Sequence, residues 1–184
     1  MRTSVSITLA AALLAAPLLA VAPADAAEDL TQITLTRWTD NADFRTGTLE
    51  GVKLTGGKLV LDRRADLPTR AHVDPFGDGT SRSYEMGTWT SPVVGVRELD
   101  DEAISSWNAS TPTGTWVETL FRGRHTDGSW TKWYVLGRWT SGRDYAAGDI
   151  HRTSLDGQND TDARILTDTF STARAANRSP SRRA

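Results

Sequence analysis

Cysteine is absent from this sequence, which removes disulfides, a thiolate nucleophile, a thiolate zinc site and an iron–sulfur cluster from its chemistry. Lysine is scarce: eighteen of the twenty-one basic residues are arginine, a bias that resembles the coding of GC-rich bacteria. There are three histidines, His72, His125 and His151, scattered among turns and strand ends without an H-x-E or H-E-x-x-H spacing for zinc. No G-x-S-x-G marks a serine nucleophile. Beyond residue 26 no run is apolar enough to hold the chain in a bilayer, and no segment sustains a helical period.

What is present begins with a leader. Arg2 precedes an apolar run over residues 7–21, and Ala24-Asp25-Ala26 follows it. A basic start, a short apolar stretch and an A-x-A site make a secretory signal peptide, with cleavage expected after Ala26. The competing reading is a membrane anchor, but a span needs about 20 apolar residues. This run is shorter and contains Pro17. The expected organisation is a signal peptide over 1–26, one domain over 27–172 and a disordered Arg/Ser/Ala-rich tail over 173–184. The expected location is extracellular, with no membrane attachment after cleavage. The tail reads as either a natural short end or a truncation.

Net charge is −2, but the tail carries four arginines and no acid. Without leader and tail, sixteen basic residues face twenty-two acidic ones. An acidic body argues against nucleic-acid binding, which calls for a basic stripe.

Between residues 27 and 170 the pattern has period two, with breaker clusters closing each run. Strands are predicted at 33–38, 52–54, 58–62, 83–90, 93–99, 104–109, 115–122, 130–139, 150–155 and 164–170. Threonine, valine and tryptophan are frequent in them, as pleated surfaces favour. Many short strands at near-regular spacing imply an all-β fold, an antiparallel β-sandwich or jelly roll. A two-residue turn at Asp127-Gly128 would set Arg122 opposite Trp133, Leu120 opposite Val135 and Trp116 opposite Trp139. Phe121, Tyr134 and Leu136 would share the other face. Neither face is purely polar, so the core side stays open, and a one-residue slip would exchange the faces.

Seven tryptophans in so small a chain are the most useful chemical signal. Trp116, Trp133 and Trp139, with Glu118 and Arg122, are the candidate ligand-binding residues, since rings stack on apolar sugar faces while charged groups take the hydroxyls. Cell-wall or other polymeric carbohydrate is the expected partner. The plainer alternative is that these rings fill the core, with Arg122 covering Trp133 as a cation–π partner. Glu85 and Glu118 lie in predicted strands and make a glycosidase pair conceivable, although Glu118 is also placed to pair with Arg122. Asp156, Asp160 and Asp162, in "DGQNDTD", form a loose candidate site for a structural calcium, against the alternative of a solvated Asx-rich turn. No other cofactor is expected.

The stretches "DFRTGTLEGVKLTGGKLVL", "YEMGTWTSPV", "SWNASTPTGTWVETLFRGRHTDGSWTKWYVLGRW" and "GDIHRTSLDGQ" with "TDTF" together resemble the N-terminal region of secreted bacterial bacteriocin-processing-type, C39-like peptidases. The resemblance spans about 37–170, and "SWNA-x-TP-x-GTW" is its most distinctive piece. It implies a β-sandwich followed by a papain-like catalytic domain with a Cys/His pair. No cysteine stands in this sequence to take that role, so no catalytic residue carries over. The expectation is a non-catalytic, secreted accessory or binding module. A stand-alone glycosidase and a remnant of a cysteine peptidase-like protein remain the alternatives.

Overall fold

The computed structural model describes residues 33–95, 102–155 and 157–172. The leader, the tail from residue 173 and Asp156 lie outside the described residues. The elements are a one-turn helix α1 (Asn41–Phe44) and strands β1 (Thr48–Glu50), β2 (Val52–Thr55), β3 (Lys58–Leu61), β4 (Thr69–Val73), β5 (Ser81–Glu85), β6 (Thr88–Thr90), β7 (Glu102–Ile104), β8 (Val117–Phe121), β9 (Tyr134–Trp139), β10 (Ala163–Leu166) and β11 (Thr169–Thr172). Every pairing among them is antiparallel. Two-stranded ribbons β1–β6, β2–β3, β4–β5 and β8–β9 accompany a three-stranded sheet ordered β10-β11-β7. The fold is all-β, as the period-two pattern implies.

Local chemistry explains much of this. Gly56 and Gly57, at φ 55° and 75°, supply the left-handed pair that a tight β2–β3 hairpin needs. The predicted strand 83–90 is instead two strands in different ribbons. At the break, a Cβ on Gly87 would meet the Gly51 carbonyl oxygen at 2.6 Å, so the two chains cross where only glycine fits. The predicted strand 33–38 is not one: Ile33 and Leu35 are exposed, and Asp40 directly after it caps α1 through the amides of Ala42 and Asp43. Residues 150–155 form only an isolated bridge, Thr153 with Arg138. The predicted strand 93–99 is not strand at 93–95, and its remainder lies outside the described residues.

The core lies between the β8–β9 ribbon and the β10-β11-β7 sheet. Tyr134, Leu136, Ala163, Ile165 and Phe170 fill it, with Phe121 and Ala103 packed against them. Phe170 is its hub, its ring 4.6 Å from Phe121 and 5.3 Å from Tyr134. The β8–β9 face carrying Phe121, Tyr134 and Leu136 is therefore the buried one.

The β8–β9 register matches the sequence expectation near the turn, with Leu120 opposite Val135, and then departs from it. Leu136 is the extra residue of a bulge, so Thr119 opposes Gly137, Glu118 opposes Arg138 and Val117 opposes Trp139. Trp116 therefore does not face Trp139. Burying both Tyr134 and Leu136 on one side while inserting a residue shifts every later partner by one.

Candidate functional site

Two places gather chemistry-bearing side chains. The first is the tip of the β8–β9 hairpin. Its turn closes through His125 N–H to the Ser129 carbonyl (2.8 Å) and Gly128 N–H to the His125 carbonyl (3.0 Å), while Asp127 accepts from the Ser129 amide at 2.8 Å. Because Phe121 and Tyr134 point into the core, Arg122 and Trp133 point away from it. The irregular stretch before β9 brings Trp130 to the same place. The Arg122 guanidinium carbon lies 4.2 Å from the Trp130 ring centre and 4.3 Å from that of Trp133. Arg124 lies 5.7 Å from the Trp130 ring. Trp130 is 38% and Trp133 44% exposed. The result is an open platform of two indoles sharing one guanidinium.

The second place is a shallow groove of about 320 Å³ between the β4–β5 hairpin and residues 145–151. Asp74 Oδ2 accepts from the His151 amide at 2.7 Å and lies 2.9 Å from His151 Nδ1, while Asp74 Oδ1 accepts from the Phe76 amide at 3.0 Å. Burial pushes the Asp74 carboxyl up, but the donors from His151 and Phe76 outweigh it and hold the group below the usual carboxylate range. Tyr145 stacks on His151 at 3.9 Å, and Phe76 meets it edge-on at 6.1 Å. Tyr84 donates its hydroxyl to the Gly148 carbonyl, and burial raises its pKa. Burial, with the nearby Arg138 charge, lowers that of His72, whose Nε2 has no hydrogen-bond partner. The buried Asp149 accepts from the amides of Gly114 (2.8 Å) and Asp144 (2.7 Å). Asp74 ties the β4–β5 hairpin to residue 151, and Asp149 ties residues 114 and 144 together beside it.

The five sequence-predicted ligand residues do not come together in one place. Only Arg122 and Trp133 share the hairpin tip. Trp116 packs against His72 (4.9 Å) and edge-on to Tyr84 (5.6 Å), while Trp139 sits beneath Arg152 at 5.3 Å. Glu118 does not pair with Arg122. It accepts from Arg138 Nε at 2.6 Å and from Arg70 at 3.1 Å, because the bulge makes Arg138 its cross-strand partner and β4 lies alongside. Glu85, the other acid of the conceivable glycosidase pair, is exposed at the end of β5 opposite Thr69. Trp130, which the expected alternation places opposite Trp133, was missed; its signal is the break in pairing at Thr131, whose amide bonds back to Gly123.

Of the three acids considered for calcium, Asp160 and Asp162 are described. Asp160 accepts from Tyr134 Oη (2.6 Å) and the amides of Asp162 and Ala163, with Lys132 Nζ at 2.9 Å. Burial raises its pKa, and these donors more than offset it, holding the carboxyl far below the usual range. Asp162 lies 3.6 Å from His125 Nε2. Among the described residues no group of three or more His, Asp or Glu is arranged to hold a metal.

The loop of the "SWNASTPTGTW" motif is tied down closely. Buried Thr111 accepts from the Ser141 amide at 2.6 Å, and the Ser141 hydroxyl donates to the Thr111 carbonyl at 2.7 Å. Thr140 donates to the Thr115 carbonyl at 3.0 Å. The motif thus fixes the loop before β8 to the segment after β9.

Comparison with curated proteins gave no match, and comparison with solved structures gave none either. A family model does match, that of the Peptidase C39 N-terminal domain, over residues 34–182. It describes an N-terminal domain of these peptidases and not their catalytic domain. That match takes in every described strand of the chain, which belongs to the Peptidase C39 N-terminal domain family.

Proposed function

We propose that this peptidase-related N-terminal module acts outside the cell as a non-catalytic recognition domain for polymeric carbohydrate such as cell-wall glycan. The observation that carries this reading is the pair of exposed indoles, Trp130 and Trp133, sharing Arg122 at the hairpin tip. Flat, half-exposed rings offer apolar faces to sugar rings, and the guanidinium edge offers hydrogen-bond donors to their oxygens. An open platform suits a chain that runs past it, unlike a pocket that encloses a small molecule. Each stacked ring is worth on the order of 1 kcal/mol beyond its buried area, so binding should be weak and reversible.

The test is co-sedimentation of the full chain with insoluble glycan. Trp133→Ala is expected to weaken retention about fivefold, the equivalent of about 1 kcal/mol, with an unchanged circular dichroism spectrum. Retention unaltered in a Trp130→Ala/Trp133→Ala double variant would remove the platform as the binding site.

A further inference from the structure

Resting on the reading of the hairpin tip as a glycan platform, we infer that its ligand is acidic: a polymer bearing carboxylate or phosphate oxyanions, held by Arg122 and Arg124 while Trp130 and Trp133 stack on its apolar surface.

The reasoning starts from where the charges go. The Arg122 guanidinium carbon lies over two indole rings, at 4.2 and 4.3 Å, and among the described residues it makes no ion pair. Arg124 spends its Nε on the Gly128 carbonyl at 3.3 Å and likewise has no carboxylate partner among them. The described acids near the tip, Asp127, Asp160 and Asp162, are engaged elsewhere. Asp127 accepts from the amide and hydroxyl of Ser129, Asp160 takes Lys132 and Tyr134, and Asp162 lies against His125. Among the described residues the local pairing thus serves Lys132 and His125 and leaves two guanidinium groups on the tip without a carboxylate partner.

The two ring contacts direct what Arg122 recognises. With indoles 4.2 and 4.3 Å from its central carbon, the guanidinium presents its N–H edge to a ligand. That edge is a fork matched to two oxygens of one carboxylate or phosphate group, and stacked arginine is weakly hydrated, so little water must be displaced. A carboxylate or phosphate fills the fork with two charged acceptors, where neutral hydroxyls fill it with uncharged ones and so bind more weakly. Between leader and tail sixteen basic residues face twenty-two acidic ones, so the body as a whole repels a polyanion and its attraction must be local to the tip. Carboxylates and phosphates share this chemistry, and both occur on acidic glycans and glycan-like polymers.

The experiment measures retention of the full chain on immobilised polygalacturonate, poly(glycerol phosphate) and neutral dextran, and on vesicles of anionic phospholipid, at two salt concentrations. The expected result is at least about tenfold stronger retention on one or both acidic polymers than on dextran, falling with salt. Preference for polygalacturonate identifies carboxylate as the recognised group, and preference for poly(glycerol phosphate) identifies phosphate. Arg124→Gln should reduce the acidic preference while leaving dextran retention in place; Arg122→Gln should weaken acidic retention more than dextran retention, and Arg122→Lys should restore little of the acidic preference because it lacks the fork. Arg124 lies outside the two-ring stack, so its variant keeps the test valid if Arg122→Gln loosens the tip. Equal, salt-insensitive retention on all three polymers would overturn the acidic inference and leave the glycan platform standing. Retention on vesicles alone, or acidic retention indifferent to Trp133→Ala, would also overturn it. Retention on none of the polymers would overturn both.

Discussion

Residues 33–95 and residues 102–172 are built on different physics. Among the described residues of the first stretch no side chain is buried, whereas Tyr134, Leu136, Ile150, Ala163, Ile165 and Phe170 are all buried in the second. The first stretch consists of three ribbons and a helical turn, with Leu49, Val60, Leu61, Val73 and Phe76 left exposed. An isolated two-stranded ribbon is marginal in water. What supports the β4–β5 ribbon is a set of ties to the second stretch: Arg70 to Glu118, Asp74 to His151, Tyr84 to Gly148, and His72 and Tyr84 against Trp116. One region holds itself together by apolar burial, and this ribbon of the other is held by polar and aromatic contacts to it. Removing core should therefore weaken both, while removing a tie should loosen the ribbon first.

The largest expected effect is Phe170→Ala. It deletes the hub between Phe121 and Tyr134 and should cost about 3–5 kcal/mol, a large share of a total stability of about 5–15 kcal/mol. Urea unfolding measures it, and hydrogen exchange should show protection lost in β4 and β5 along with the core strands. As the contrasting case, Val60→Thr on the exposed β2–β3 ribbon should change stability by no more than about 0.5 kcal/mol. A comparable loss at both sites would show that the two regions are not distinct.

Next comes Glu118→Ala. The Glu118 and Arg138 side chains are 11% and 10% exposed, so truncation strands a nearly buried guanidinium and frees Arg70 of β4. The expected cost is about 3 kcal/mol by thermal or urea unfolding. Amides of β4 and β5 should gain exchange more than those of β10 and β11. Glu118→Gln, which keeps one acceptor, should cost less.

A smaller effect concerns acid. The Asp74 carboxyl is held below its ordinary value of 3.8, so its contribution is fully present above that value and is lost as pH falls through the lower folded value. Asp74→Asn should lower stability at neutral pH by on the order of 1 kcal/mol. It should also flatten the part of the stability–pH curve below about pH 4. A variant whose acid limb matches the wild type would show that the Asp74–His151 tie contributes nothing to holding the ribbon.

The same division explains what the sequence made legible. Alternation and paired glycines mark β2–β3, and alternation around Asp127-Gly128 marks β8–β9 with Leu120 correctly opposite Val135, because both signals are local. The bulge at Leu136 carries no local mark, and it decides that Glu118 meets Arg138 and that Trp116 turns toward His72 and Tyr84. β4, "TRAHV", is too polar to read as a strand until its partner is known. Asp74 and His151 stand 77 residues apart, and nothing along the chain announces their meeting. At the hairpin tip Arg122 over Trp133 was legible from spacing. Trp130 was not, because strict alternation assigns it to the wrong side.

The smallest effect expected is a gain, and it belongs to the core-bearing region. Leu166 pairs with Thr169, so Thr167 and Asp168 form the link of the β10–β11 hairpin. Thr167 adopts φ 62°, the one non-glycine residue with positive φ among those described. A β-branched side chain in that conformation costs about 1–2 kcal/mol, and the core strands on either side impose it. Thr167→Gly removes the strain but enlarges the freedom of the unfolded chain, which takes back about 0.4–1 kcal/mol. The Thr167 side chain is exposed, so little packing is lost. The balance is a stabilisation of about 1 kcal/mol or less, a rise in melting temperature of a few degrees. Since β10 and β11 carry Ala163, Ile165 and Phe170, the gain should appear as slower exchange across the core strands, with the β2–β3 ribbon unchanged. A drop in melting temperature would mean that the threonine is favoured there by contacts outweighing its strain, and equal slowing in β2–β3 would erase the contrast between the two regions.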